Sequence, residues 1–121
     1  MSQRDSGFAR LERDNYATPA WVTAALLPHL PAPPLRIWEC AAGDGSMVRA
    51  FIIGGYTVTG TDIAEGQDFL CCPAVECDAI VTNPPYALAQ EFIEHAMALT
   101  RPAGLVAMLL RCDFDHAASR K

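Results

Sequence analysis

Asp78-Ala79-Ile80-Val81-Thr82-Asn83-Pro84-Pro85-Tyr86 is the stretch on which the reading of this 121-residue chain turns. Its first five residues form a short apolar run, the pattern of a buried strand. The two prolines stop that strand, because proline has no N–H to give to a ladder. A residue before proline is held extended, so Asn83 and Pro84 are both stiffened. The outcome is a rigid hook at the C-terminal end of a strand. It presents an amide oxygen, backbone carbonyls and, in Tyr86, a flat ring. Such a hook suits a planar amino group on a base or an amide. The structural alternative for the same residues is a proline-rich turn beside a core tyrosine.

Outward from the hook, strands and helices alternate. Residues 1–15 read as a flexible, polar lead-in, and residues 16–121 as one domain. Thr18-Pro19 predicts an N-cap with proline at the first helical position. The helix it opens carries Trp21, Val22, Ala25 and Leu26 and ends near Pro28 to Leu30, before the stiff linker of residues 31–34. A strand is expected over Leu35 to Glu39, a small-residue turn over Ala41 to Gly45, and a helix over Ser46 to Ile53, closed by Gly54-Gly55. A second strand is expected over Tyr56 to Thr61, then a loop from Ala64 to Pro73 with a short helical turn near Asp68 to Leu70. Beyond the hook, Leu88, Phe92, Ile93, Ala96 and Leu99 recur at helical spacing within Ala87 to Leu99. A last apolar strand is expected over Leu105 to Leu110. Alternation at this spacing predicts an α/β fold, a parallel sheet with helices on its faces. Ligands of such sheets bind beyond the C-terminal ends of the strands.

Composition narrows the class. Hydrophobic residues make up 51% and charged residues 19%, the balance of a globular chain rather than a disordered one. No apolar run approaches the length that crosses a bilayer, and Met1 to Arg13 lacks the apolar core of a signal segment, so no membrane partner and a cytoplasmic location are expected. A net charge of −5 is the wrong sign for gripping nucleic acid by global electrostatics. Arg4, Arg10, Arg13, Arg111, Arg120 and Lys121 lie near the two ends, where ordinary solubilising charge is the favoured reading. The five cysteines, Cys40, Cys71, Cys72, Cys77 and Cys112, match no disulfide or zinc spacing. Cys71-Cys72 with Cys77 could hold a metal, but the favoured reading is small, reduced core residues, and no metal site is expected.

Four further groups of residues carry chemical suggestions. In Glu39-Cys40-Ala41-Ala42-Gly43-Asp44-Gly45 two glycines lie between a strand and a helix, where backbone must approach a ligand closely. A dinucleotide fingerprint would need a third glycine, and position 48 is Val. Glu39 would repel a pyrophosphate and attract an ammonium, which suits S-adenosyl-L-methionine; a plain strand–helix turn explains the glycines equally well. Asp62, at the end of the second strand, is placed to accept ribose hydroxyls, or to cap a short helix. Asp68 is placed to accept from an adenine amine with Phe69 packing on the ring, or to cap a turn beside a core aromatic. Within Asn15-Tyr16-Ala17-Thr18-Pro19, Thr18 could hold a carboxylate through its hydroxyl at a helix N-terminus, or simply cap.

Together these residues resemble the amino-methyltransferases of the class I S-adenosylmethionine-dependent fold, and most of all the N6-adenine DNA methyltransferases. The resemblance runs from about Asn15 to Leu110. It implies a Rossmann-like, mostly parallel sheet, here short of the last strands of that family's seven-stranded sheet. It implies methyl transfer from S-adenosyl-L-methionine to an exocyclic amine, adenine N6 in DNA first. The catalytic residues would be Asn83, Pro84, Pro85 and Tyr86. Asn83 Oδ1 and the Pro84 carbonyl would accept from the amine, and Tyr86 would stack on the base. A duplex target would have to be flipped out, at a cost of a few kcal/mol. The cofactor would be held by Tyr16, Thr18, Pro19, Glu39, Ala41, Gly43, Gly45, Asp62, Ile63, Asp68 and Phe69. The Tyr-x-Thr-Pro segment favours a nucleic-acid acceptor over protein glutamine. The alternatives are a methyltransferase-like cofactor-binding domain with little or no activity, and an enzyme acting on glutamine N5 or an RNA base. The chain reads as a truncation, or as one copy of a homodimer that covers the edge of the Leu105 to Leu110 strand.

Overall fold

Ala79–Thr82 (β3) is buried at every position and forms the middle of the sheet. The computed structural model describes residues 18–71, 74–100 and 104–110. The 1–15 lead-in, Tyr16, Cys72, Cys112 and the basic residues of both termini lie outside them. Along the chain follow α1 (Ala20–Leu26), β1 (Arg36–Glu39), α2 (Ser46–Ile53), β2 (Thr57–Gly60), β3, α3 (Ala89–Leu99) and β4 (Leu105–Met108). Single turns of 3-10 helix stand at Leu27–His29, Ile63–Glu65 and Tyr86–Leu88.

The four strands lie in the order β2-β1-β3-β4 and every pair is parallel. This is the α/β, Rossmann-like arrangement, with the described strands all parallel rather than mostly so. Chain order runs outward from β1 to β2, then crosses back to β3 on the other side of β1. The β1–β3 junction is therefore the topological switch point, where the connections diverge and leave a crevice at the strands' C-terminal ends. The ladder across this junction is short. β1 and β3 share the pairs Ile37↔Ala79 and Trp38↔Ile80, while β1–β2 and β3–β4 share four pairs each.

Alternation along the strands builds two cores. Ile37, Ala79 and Val81 pack under α1 and α2 with Leu30, Met47, Phe51 and Tyr56. Trp38 and Ile80 pack on the other face with Phe69 and with Phe92 and Ala96 of α3. Burying a large apolar side chain in this way stabilises the fold by about 1.5–3 kcal/mol. Phe92 and Ala96, with Ala89 before them, give α3 its single buried stripe. Both outer strands are more open: β2 has no buried residue, and β4 is half-buried throughout.

Several local expectations need adjustment. Helix α2 matches its predicted range. The helix expected from Ala87 begins at Ala89, because Tyr86–Leu88 first closes a 3-10 turn. The helical turn expected near Asp68 to Leu70 is a hydrogen-bonded turn, Cys71 N–H to Asp68 carbonyl at 2.9 Å. Thr18 is not the N-cap of α1. Pro19 occupies that place, and among the described residues no side chain caps the helix. Among the described residues no helix is long and apolar enough to cross a membrane.

Candidate active site at the β1–β3 switch point

Glu39, the last residue of β1, is 1% exposed and lies buried at the C-terminal end of the switch-point strands. Its Oε1 accepts a short hydrogen bond from the Thr82 hydroxyl at the end of β3. It also accepts the Ala41 N–H at 2.9 Å, the first amide of the glycine turn. The Asn83 backbone N–H donates to the same carboxyl. One buried side chain thus holds three things in register: the turn after β1, the end of β3 and the first residue of the hook. Burial pushes the Glu39 carboxyl up from 4.5 to about 7, and the nearby Asp62 charge pushes the same way against the three hydrogen bonds. This corrects the picture of Glu39 as an open receptor for an ammonium. It organises the site from behind, and the Ala41 amide, also expected to meet a ligand, is engaged with it.

The glycine turn closes against β2. Gly43 and Gly45 adopt φ of 55° and 85°, in the left-handed region that side chains avoid. Gly43 N–H donates to Asp62 Oδ1 at 2.9 Å, and Ala64 N–H donates to Asp62 Oδ2 at 2.9 Å. Asp62 therefore ties the turn to the end of β2 and caps Ile63–Glu65 at once. Each of its oxygens keeps a second lone pair for a hydroxyl donor. The backbone places Asp62 there through Ala42 N–H to the Thr61 carbonyl and Thr61 N–H to the Glu39 carbonyl, both 2.9 Å. Trp38 Nε1 adds a buried bond to Thr61 Oγ1 at 2.9 Å. Gly60 allows this close fit, since a Cβ there would lie 3.0 Å from Val48 Cγ2 and 3.3 Å from Ala42 Cβ. Ile63 follows with its side chain exposed beside Asp62, an apolar surface for a ring.

The turn also opens α2. Asp44 Oδ1 accepts Ser46 N–H at 2.9 Å and the Ser46 hydroxyl at 2.7 Å, and these bonds hold its carboxyl below the ordinary range. Arg49 Nη1 reaches back to the Asp44 carbonyl at 3.0 Å.

Beyond β3 the hook is half-buried at Asn83 and Tyr86 and buried at Pro84 and Pro85. The Pro85 carbonyl accepts Leu88 N–H at 3.0 Å and so starts the turn that leads into α3. Asn83 Nδ2 donates to Thr18 Oγ1 at 3.2 Å. Two motifs far apart in sequence, Thr18-Pro19 and the hook, meet here.

Asp68 and Phe69 behave differently from the expected adenine contact. Asp68 Oδ1 accepts Leu70 N–H at 3.1 Å in its own turn. The Phe69 ring is 1% exposed and lies 5.2 Å from Trp38, 4.9 Å from Phe92 and 4.9 Å from His95, centroid to centroid. It is a core aromatic with no open face for stacking. Thr82 is the site residue that sequence reasoning passed over. Its signal was a hydroxyl at the end of an otherwise apolar strand, with an acid ending the neighbouring strand.

Three acidic side chains, Glu39, Asp44 and Asp62, surround the turn, and the Ala41, Ala42, Gly43, Gly45 and Ser46 amides are all paired within the protein. Among the described residues no group of histidine, cysteine and acidic side chains is arranged to hold a metal ion. In comparisons with protein-family models, with curated proteins and with solved structures, nothing matches this chain.

Proposed function

We propose that this chain binds S-adenosyl-L-methionine at the ends of β1 and β2 and transfers its methyl group to an exocyclic amine held by the hook, with adenine N6 in DNA as the first candidate acceptor. The observation that carries this reading is that two neighbouring acids tie the strand ends together at the switch point: buried Glu39 accepts from Ala41, Thr82 and the hook residue Asn83, and Asp62 accepts from Gly43 of the glycine turn. The residues fit the cofactor in kind. Asp62 retains lone pairs for ribose hydroxyls, Ile63 offers an exposed apolar side chain beside it, and the acidic surroundings suit a cation. Phe69 does not contribute a stacking face.

When bound, the cofactor supplies an electrophilic methyl group on a sulfonium. The chain's part is to present the amine to it. Asn83 Oδ1 accepts one N–H of the amine and the Pro84 carbonyl the other, which favours tetrahedral geometry at nitrogen and directs its lone pair. Tyr86 stacks on the base, worth roughly 1–3 kcal/mol for a base on an aromatic ring. No strong general base is needed: the nitrogen lone pair would form its bond to the methyl group as the C–S bond breaks, and the cationic amine so formed is acidic enough to give its proton to water.

The test is transfer of a labelled methyl group to single- and double-stranded DNA, to RNA and to a glutamine-bearing peptide. Label on adenine in DNA is expected. Asn83→Ala should lower transfer at least about 100-fold, by analogy with removal of a single transition-state contact, while cofactor affinity is retained. Loss of both would overturn this division of roles. Cofactor binding without transfer to any acceptor would leave a binding domain and overturn the enzyme.

A further inference from the structure

We infer that Thr18 is a positioning residue of the hook: its hydroxyl oxygen holds the Asn83 side-chain amide in the one orientation that offers an acceptor. This rests on the role proposed above for Asn83. Three observations lead to it. Thr18 stands where an N-cap is expected, yet among the described residues no side chain caps α1, its own included. Instead its Oγ1 accepts from Asn83 Nδ2 at 3.2 Å, across 65 positions of sequence. Asn83 is also held at its backbone, where the N–H donates to Glu39.

The second constraint matters because of what an amide is. The terminal torsion of asparagine is broad and roughly two-fold, so a half-turn exchanges Oδ1 and Nδ2 at little cost. One orientation presents an acceptor to an incoming amine. The other presents two N–H donors, which meet the N–H groups of the amine head-on. With Nδ2 engaged by Thr18, Oδ1 takes the opposite side, and no described residue donates to it. The Thr18 hydroxyl keeps its own proton free while it accepts. Holding Asn83 therefore does not prevent Thr18 from donating to a ligand as well.

Thr18→Val keeps the shape and removes the acceptor; Thr18→Ser keeps the acceptor. Thr18→Val should lower kcat at saturating cofactor roughly 10- to 100-fold, the scale of a small misplacement at a reacting centre, whether or not the cofactor Kd also rises. Thr18→Ser should restore most of kcat, and Thr18→Val combined with Asn83→Ala should be no slower than Asn83→Ala alone. A normal kcat in Thr18→Val with weakened cofactor binding would overturn the inference and make Thr18 a cofactor ligand. A Thr18→Ser variant as slow as Asn83→Ala would overturn it too, and this variant decides the matter if Thr18→Val does not fold. A wild-type chain that methylates nothing would instead sink the functional reading. In that event the Asn83 side-chain amide protons, followed by NMR, still judge the contact: slower exchange in wild type than in Thr18→Val upholds the hold on Asn83, and equal exchange overturns it.

Discussion

At the start of the β1–β3 junction Arg36 grips Asp78 in open solvent; at its end Glu39 holds Thr82 and Asn83 with 1% exposure. Both are carboxylate clips between the same two strands. The outer clip has fork geometry, with Nε to Oδ2 at 3.2 Å and Nη2 to Oδ1 at 3.0 Å, and a backbone N–H to Oδ2 at 2.9 Å. Its side chains are 47% and 40% exposed, so water and salt screen it. The inner clip has no such screening. Its hydrogen bonds are strong because the surroundings are dry, and its carboxyl is costly to ionise for the same reason. The difference separates a fastening from a site. The outer clip secures two strands; the inner one sets the relative position of the glycine turn and the hook.

The sharpest way to break this contrast is to remove the inner clip. At pH 6, where the carboxyl carries its proton, Glu39→Ala should cost about 3 kcal/mol or more in denaturant unfolding, because buried donors on Ala41, Thr82 and Asn83 lose their acceptor. A cost no larger than that of cutting the outer clip would refute the comparison.

A pH series sharpens it further. The folded-state pKa of Glu39 lies at about 7, above its ordinary 4.5. In that window the folded chain binds a proton that the unfolded chain has lost. The contribution of Glu39 is therefore fully present below pH 4.5 and is lost as pH rises through 7, by about 3 kcal/mol in all. Unfolding free energies of wild type minus Glu39→Gln should fall along that ramp. A flat difference would show the carboxyl to be ionised in the folded protein throughout.

The smallest effect belongs to the outer clip. Arg36→Gln should lower the unfolding midpoint only slightly, and the deficit should shrink as salt is added. A large, salt-independent loss would mean that the exposed fork is as structural as the buried carboxyl.

Much of the scaffold was legible because its signals are local. The apolar run before Asn83, the glycines after Glu39 and the stripe on α3 each announce an element within a few residues. Alternation of those elements then leads to a parallel sheet. What was not legible depends on pairings distant in sequence. Thr18 beside Pro19 has the local chemistry of a cap, and nothing near it announces Asn83. Phe69 beside Asp68 looks like a ligand contact until Trp38 and Phe92, from elements on either side of it in the chain, enclose its ring. Glu39 looks available to a ligand in sequence because a strand-end acid usually faces solvent. Only the arrival of Thr82 on the neighbouring strand makes it a buried hub.

The short ladder between β1 and β3 has a consequence for assembly. Residues 36–60 and 79–108 each hold two strands with their own four-pair ladder, joining residues 21 apart in the first and 26 apart in the second, as Arg36↔Thr57 and Ala79↔Leu105 are. The junction must instead bring together residues 42 apart, as Arg36 and Asp78 are, against the larger entropy of closing that loop. Glu39 belongs to one piece and Asn83 to the other. A molecule with only one piece folded has neither the crevice nor the acceptor geometry, however native that piece is. Completing the site and completing the fold are thus the same event.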